Sequence, residues 1–213
     1  MKLLGIDEAG RGPVLGPFVM AGVMIDAKTQ SFLKELGVRD SKDLSRKKRE
    51  ALYKELPRHI ISHDVAIVTN TELDEMMAKG INLNMIEART TAKIINTLNP
   101  DSVILDCPSA NISGCVNEIR RHLKNPKMKI TAEFKADVNY PVVGAASIFA
   151  KVIRDNEVDK IKEKYGINCG SGYMADPVTD KFLDDNFDKY PIFRTMWMPW
   201  KKRNAKKEQR TLF

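Results

Sequence analysis

The 213-residue chain is poor in the residues that build covalent or zinc-bound frameworks, with three cysteines (Cys107, Cys115, Cys169) and three histidines (His59, His63, His122). No two cysteines form a C-x-x-C pair and one is left over from any pairing, which argues against both a disulfide framework and a zinc site. All three are expected to be reduced, structural thiols. The histidines lie outside every motif described below and are expected to be surface polar residues. Long hydrophobic runs are missing as well. The longest, Phe18 to Ile25, has the length of a strand and falls far short of the ~20 apolar residues of a membrane helix. Carboxylates at Asp7 and Glu8 interrupt any apolar leader, so a cytoplasmic chain with no membrane segment is expected. A monomer is expected as well. No internal repeat or low-complexity block is present.

What the chain does have is an ordinary globular balance, 43% hydrophobic and 30% charged, and a length that buries a real core. The net charge of +7 suggests an anionic partner, but it is unevenly placed. Residues 201–213 hold Lys201, Lys202, Arg203, Lys206, Lys207 and Arg210 against Glu208, so the tail carries +5 and the rest about +2.

Apolar runs bounded by breakers mark the strands. Leu3, Leu4 and Ile6 precede Asp7-Glu8 and the glycine-rich turn Gly10-Arg11-Gly12-Pro13, and Phe18 to Ile25 follows as a hairpin partner. Ile60 to Val68, Ser102 to Asp106 and Lys127 to Phe134 supply three more. Between them lie helical patterns: Ser45 caps a basic helix that ends near Pro57, Thr71 to Lys79 is a short helix, and Leu83, Ile86, Thr90, Ile94 and Leu98 recur at helical spacing. Val116, Ile119 and Leu123 share another helical face. Pro141 opens a helix whose Gly144, Ala145, Ala146 and Ser147 permit close packing, and Asp176-Pro177 opens one that runs to about Asn186. The pattern is an α/β arrangement of about five strands, antiparallel first and parallel later. Expected boundaries are residues 1–165 for the main domain, 166–200 for a small helical appendage and 201–213 for the basic tail.

In such a sheet, ligands gather at the carboxyl ends of strands, where Asp7, Glu8 and Asp106 are each predicted. Asp137 would join them from the mouth of the following helix, whose N-terminal field favours an ionised carboxylate. Side chains alternate along a strand, so Asp7 and Glu8 meet at one ion only if the strand bends or frays there. Oxygen-only donors suit Mg2+ or Mn2+. Four acids around two cations ~4 Å apart would make a two-metal phosphodiester hydrolase.

Several of these stretches resemble one family. Asp7-Glu8-Ala9-Gly10-Arg11-Gly12, Arg39-Asp40-Ser41-Lys42, Lys135-Ala136-Asp137 with Tyr140-Pro141, Ala145-Ala146-Ser147-Ile148, Ala150-Lys151-Val152-Ile153-Arg154-Asp155 and Ser171-Gly172-Tyr173 are similar, in order, to the type-2 ribonuclease H family (ribonuclease HII) in its archaeal form. The chain departs from that pattern at Phe134, where His is expected, and at Met174, where Pro is expected. The resemblance implies a ribonuclease H-like five-stranded mixed sheet flanked by helices, with Asp7, Glu8, Asp106 and Asp137 as catalytic metal ligands. It further implies that Gly10, Arg11 and Gly12 read the ribose 2′-OH, that Tyr173 stacks on the neighbouring deoxyribose, and that Lys42 contacts phosphate. The implied activity is cleavage of the RNA strand of RNA–DNA hybrids and incision 5′ of ribonucleotides embedded in duplex DNA, leaving 5′-phosphate and 3′-OH ends. A metal-dependent DNA nuclease on the same sheet is the rival enzyme, and the ribose-reading turn argues against it. A non-hydrolytic nucleic-acid-binding protein is the rival of another class, and the acids argue against that, since carboxylates repel phosphate unless metal intervenes.

At the end of the tail, Gln209, Leu212 and Phe213 resemble the start of a sliding-clamp-binding box. The usual paired aromatics are missing, so weak clamp binding is expected. The alternative is a disordered arm that attracts nucleic acid by charge alone.

Overall fold

The computed structural model describes residues 1–38 and 41–211. Arg39, Asp40, Leu212 and Phe213 lie outside the described residues, and with them part of the Arg39–Lys42 motif and two residues of the clamp-like box.

Five strands form one mixed sheet in the order β3-β2-β1-β4-β5: β1 (Lys2–Ala9), β2 (Phe18–Asp26), β3 (Ser62–Val68), β4 (Ser102–Asp106) and β5 (Lys129–Glu133). β1 runs antiparallel to β2, and β1–β4 and β4–β5 are parallel, as expected of a hairpin followed by helical crossovers. The helices are α1 (Gln30–Glu35), α2 (Arg46–Glu55), α3 (Asn70–Ala78), α4 (Leu83–Leu98), α5 (Ile112–Arg120), α6 (Ala136–Asn139), α7 (Pro141–Tyr165), α8 (Pro177–Asn186) and α9 (Met198–Thr211). Ser45 and Asp176 cap α2 and α8 as predicted, each accepting from a backbone amide of the first turn. α3 begins a residue earlier than the sequence suggested. Thr69 and Glu72 cap one another reciprocally, through a 2.8 Å bond from the Thr69 amide and a 3.2 Å bond from the Glu72 amide.

The chain forms two compact units. The first comprises residues 1–9, 19–67 and 83–153 and carries the sheet. In its core, Leu3, Val19, Ala21, Val23 and Ile25 pack with Val142, Val143, Ala145, Ala146, Phe149 and Val152 of α7. Burial of each of the leucine, valine, isoleucine and phenylalanine side chains contributes ~1.5–3 kcal/mol. Small residues on α7 allow a backbone-to-backbone approach at Gly5, where an added Cβ would stand 2.3 Å from the Val142 carbonyl oxygen.

The second unit comprises residues 10–18, 68–82 and 154–213. Its core is Val14, Leu15, Val158, Cys169, Leu183, Ile192 and Phe193, ringed by Tyr165, Phe182, Tyr190, Trp197 and Trp200. The glycine-rich turn after β1 thus packs with the C-terminal part of the chain, a partition that the sequence did not announce. The basic stretch beyond residue 200 is helical as far as Thr211. Arg203 of α9 bonds Asp184 at 2.7 Å and Asp180, Lys207 pairs with Asp188, and the Trp200 indole donates to the Phe187 carbonyl at 2.7 Å. Acids on and after α8 and the Phe187 carbonyl therefore give α9 a place to dock that residue type alone does not reveal.

Candidate active site

The parallel register pairs Ile6 with Leu105 at the end of the β1–β4 ladder, so the next residues along the two strands are Asp7 and Asp106. β4 then pairs Asp106 with Glu133 of β5, and the chain leaves β5 through Phe134 and Lys135. Lys135 takes a left-handed conformation at φ 59°, which for a residue with a side chain costs ~1–2 kcal/mol. That bend turns the chain into α6, whose Ala136 amide donates to Asp106 Oδ1 at 2.8 Å and whose first turn carries Asp137. Asp137 is buried, and its Oδ1 has no hydrogen-bond partner among the described residues. A buried carboxylate oxygen without a donor is costly unless a cation meets it.

Asp7 and Asp106 both feel the charge of Asp137. Burial pushes the Asp7 carboxyl up to about 7; a hydrogen bond from Ser147 pulls it back, and the charges of Asp106 and then Asp137 push it further. Asp106 is raised too, first by burial, then by Asp137, against the Ala136 amide and the Lys42 ammonium. Lys42, to which the resemblance gives a phosphate contact, thus stands near enough for its charge to act on Asp106. Behind Asp7 runs a polar chain that was not singled out residue by residue. Ser147 Oγ lies 2.7 Å from Ser41 Oγ, both fully buried, and Lys151 Nζ donates to Ser41 Oγ. Arg49 fixes the turn that carries Ser41 and Lys42 by donating to the carbonyls of Ser41 at 3.2 Å and Leu44 at 2.6 Å.

Glu8 departs from expectation. β1 neither bends nor frays before it: antiparallel pairing to β2 continues through Asp7–Ala21, Glu8–Met20 and Ala9–Val19. Regular alternation sends Glu8 to the face opposite Asp7. Its charge is felt by the Cys115 thiol, which burial and the neighbouring Cys107 push up to about 12. Among the described residues no three acids, histidines or cysteines close into a ready-made ion cage. The donors at hand are carboxylate oxygens, the set a hard divalent cation takes, and the repulsion among Asp7, Asp106 and Asp137 together with the orphaned Asp137 oxygen fits such an ion.

The second unit holds the other predicted residues. Gly10 adopts φ 81°, and a Cβ there would stand 2.5 Å from the Pro17 carbonyl oxygen, so only glycine fits; at Gly12 a Cβ would meet nothing within 4 Å. The Arg194 guanidinium lies fully buried and donates to the carbonyls of Gly10 at 2.7 Å, Arg11 at 3.2 Å and Gly16 at 2.9 Å. Nothing in the sequence around Arg194 signalled it. Tyr173 is 40% exposed, with one face against the buried Arg154 guanidinium, 4.8 Å from the ring centre. Arg154 also donates to the Ser171 carbonyl at 2.5 Å, and the Val14 amide to the Gly172 carbonyl at 2.9 Å, which ties the Tyr173 loop to the turn. Gln209 is exposed on the last turns of α9.

The sheet order and the aspartate cluster at its parallel strand ends define a protein of the ribonuclease H-like class. Residues 4–201 match the family model described as Ribonuclease HII. Ribonuclease HII of Pyrococcus furiosus is 40% identical over 222 residues, covering 100% of this chain and 97% of that one. The crystal structure of ribonuclease H2 from Pyrococcus horikoshii superposes with a TM-score of 0.89 at 37% identity, covering 98% of this chain and all of that one. In a complex of PCNA with RNase HII from Archaeoglobus fulgidus, the matching chain gives a TM-score of 0.84 at 38% identity over 92% of this chain and 95% of that one. The chain belongs to the ribonuclease HII family, and with it to the metal-dependent endoribonucleases that act on RNA–DNA hybrids.

Proposed function

We propose that the protein incises the 5′ side of ribonucleotides embedded in duplex DNA as well as cutting RNA–DNA hybrids, using two divalent ions, Mg2+ or Mn2+, at Asp7, Glu8, Asp106 and Asp137. The observation that carries this reading is the gathering of Asp7, Asp106 and the buried Asp137, whose Oδ1 has no hydrogen-bond partner among the described residues, with burial and then the neighbouring acids pushing the Asp7 carboxyl up to about 7. Asp7 and Asp106, whose ionised forms are disfavoured here, would be stabilised as carboxylates by cations. Bound ions would supply an acidified water and a stabilised leaving oxygen.

The protein's own groups do the rest. Asp106 is aimed by the Ala136 amide, and Asp7 is steadied by Ser147 and the hydroxyl chain behind it. Lys42 offsets negative charge beside Asp106 and would take a phosphate of the scissile strand. The Gly10-Arg11-Gly12 turn, open at Gly12, would read the 2′-OH, the group that separates RNA from DNA. Tyr173, backed by Arg154, offers its free face to the deoxyribose next to the cut. Glu8, on the opposite face of β1, would reach an ion only after a local rotation or through water.

The test is a labelled duplex with one ribonucleotide, incubated with Mg2+, with Mn2+ and with chelator. Incision on the 5′ side that needs either ion supports the reading; cutting only of continuous hybrids, or cutting in chelator, overturns it. The clamp-bound relative from Archaeoglobus supports a second proposal, that the C-terminal segment from Gln209 engages a sliding clamp.

A further inference from the structure

We infer that Arg194 is a positioning residue for ribose recognition: its guanidinium fixes the Gly10–Gly12 turn in the shape that a 2′-hydroxyl would meet. The inference rests on the reading of that turn given above. A fully buried arginine is rare and expensive, since desolvating the charge costs several kcal/mol and apolar residues of similar volume commonly pack as well or better. Here the partners are backbone carbonyls. Nε reaches Gly16, and the two terminal nitrogens reach Arg11 and Gly10, so one planar fork spans the turn from its first glycine to its last. The Arg194 amide adds a 2.8 Å bond to the Val14 carbonyl, and the Trp197 ring covers the guanidinium face at 4.8 Å.

The turn needs such a brace. It contains glycines at positions 10, 12 and 16, two of them at positive φ, and a glycine-rich segment loses the most conformational entropy on ordering. Bonds to three of its carbonyls hold the peptide planes on either side of Gly12, where the space a Cβ would take is open. Lysine cannot reproduce this, because it offers a single nitrogen on a flexible stem where arginine offers donors in a fixed plane. Burial, and then the charge of Arg154, lower the Arg194 pKa only to about 9, so the fork stays charged and fully donating at neutral pH.

The experiment uses the full chain with Mg2+. It measures kcat and KM on a duplex carrying one ribonucleotide, and the inhibition constant of the all-DNA duplex of the same sequence as a competitor. The ratio of inhibition constant to KM reports preference for ribose. Arg194→Lys is expected to raise KM and lower that ratio about tenfold, the worth of one well-placed hydrogen bond, while leaving the all-DNA inhibition constant unchanged. A role in stability alone would reduce the active fraction, and so kcat, and leave the ratio intact; that result in a cooperatively unfolding Arg194→Lys protein overturns the inference. Should Arg194→Lys not fold, Trp197→Leu keeps the fork and strips its cover. It is expected to lower the ratio about threefold, and an unchanged ratio there overturns the inference. The reading of the turn has its own arm. A wild-type ratio near one, or Gly12→Ala with the wild-type ratio, removes ribose reading from the turn and Arg194 with it. A wild-type preference abolished by Gly12→Ala but kept by Arg194→Lys removes Arg194 alone.

Discussion

Asp7 shows how one residue couples stability to function. Its folded pKa of about 7 lies above the value of an unfolded aspartate, so between about pH 4 and 7 the folded state holds a proton that the unfolded state has released. Stability from this group is therefore full below about pH 4, is lost as pH rises to about 7, and stays lost above. Asp7→Asn removes the titration. In metal-free buffer the variant should be more stable than wild type by roughly 2–4 kcal/mol at pH 8, with the gap closing toward pH 4, as read by denaturant unfolding at each pH. The same variant, and Asp106→Asn, should lose cleavage by at least about a thousandfold while remaining folded, since each removes a metal-facing charge. Ser147→Ala tests the support behind the cluster. It removes the bond that pulls the Asp7 pKa down and leaves the Ser41 hydroxyl with Lys151 alone, so kcat should fall about tenfold and the pH at which activity rises should move upward. A pH–rate profile identical to wild type would detach Ser147 from Asp7.

Two elements are tuned to the distance between them. β1 and α7 meet where Gly5 lies under the Val142 carbonyl, and the 2.3 Å that a Cβ would leave is far inside contact distance. Gly5→Ala should therefore cost at least about 2–3 kcal/mol and lower the melting temperature, although the change is remote from any charge. The Tyr173 loop is tuned differently, by Arg154 on one ring face and by the Val14–Gly172 bond. Tyr173→Ala is expected to weaken incision at a single embedded ribonucleotide more than cutting of a long hybrid, because only the former places a deoxyribose beside the cut. Parallel initial-rate measurements on the two substrates decide this, and equal losses would end its role as a junction sensor.

For the whole molecule, charge and its placement separate two kinds of binding. Much of the excess positive charge lies in residues 201–213, but Arg203 and Lys207 are engaged by Asp180, Asp184 and Asp188. Removing Leu212 and Phe213 should abolish any clamp complex on gel filtration and leave the salt dependence of substrate affinity nearly unchanged, since that slope counts lysine and arginine contacts to phosphate. The sequence by itself determined the strands, because apolar runs closed by glycine and proline leave few alternatives, and it determined which carboxylates end those strands. Asp7, Glu8 and Asp106 stood out because a carboxylate after a buried run is an expensive anomaly, and Asp137 because it sits at a helix mouth; Ser41, Ser147, Lys151 and Arg154 stood inside the motifs without a role. Tertiary structure alone decided the rest. Register set Asp7 beside Asp106, regular pairing to β2 turned Glu8 to the other face, and the fold carried Arg194 to the carbonyls of Gly10 and Arg11 across more than 180 residues of chain. Contacts of that span leave no local pattern, because what selects the residue is the shape and polarity of the space it fills, and that space exists only once the chain has folded.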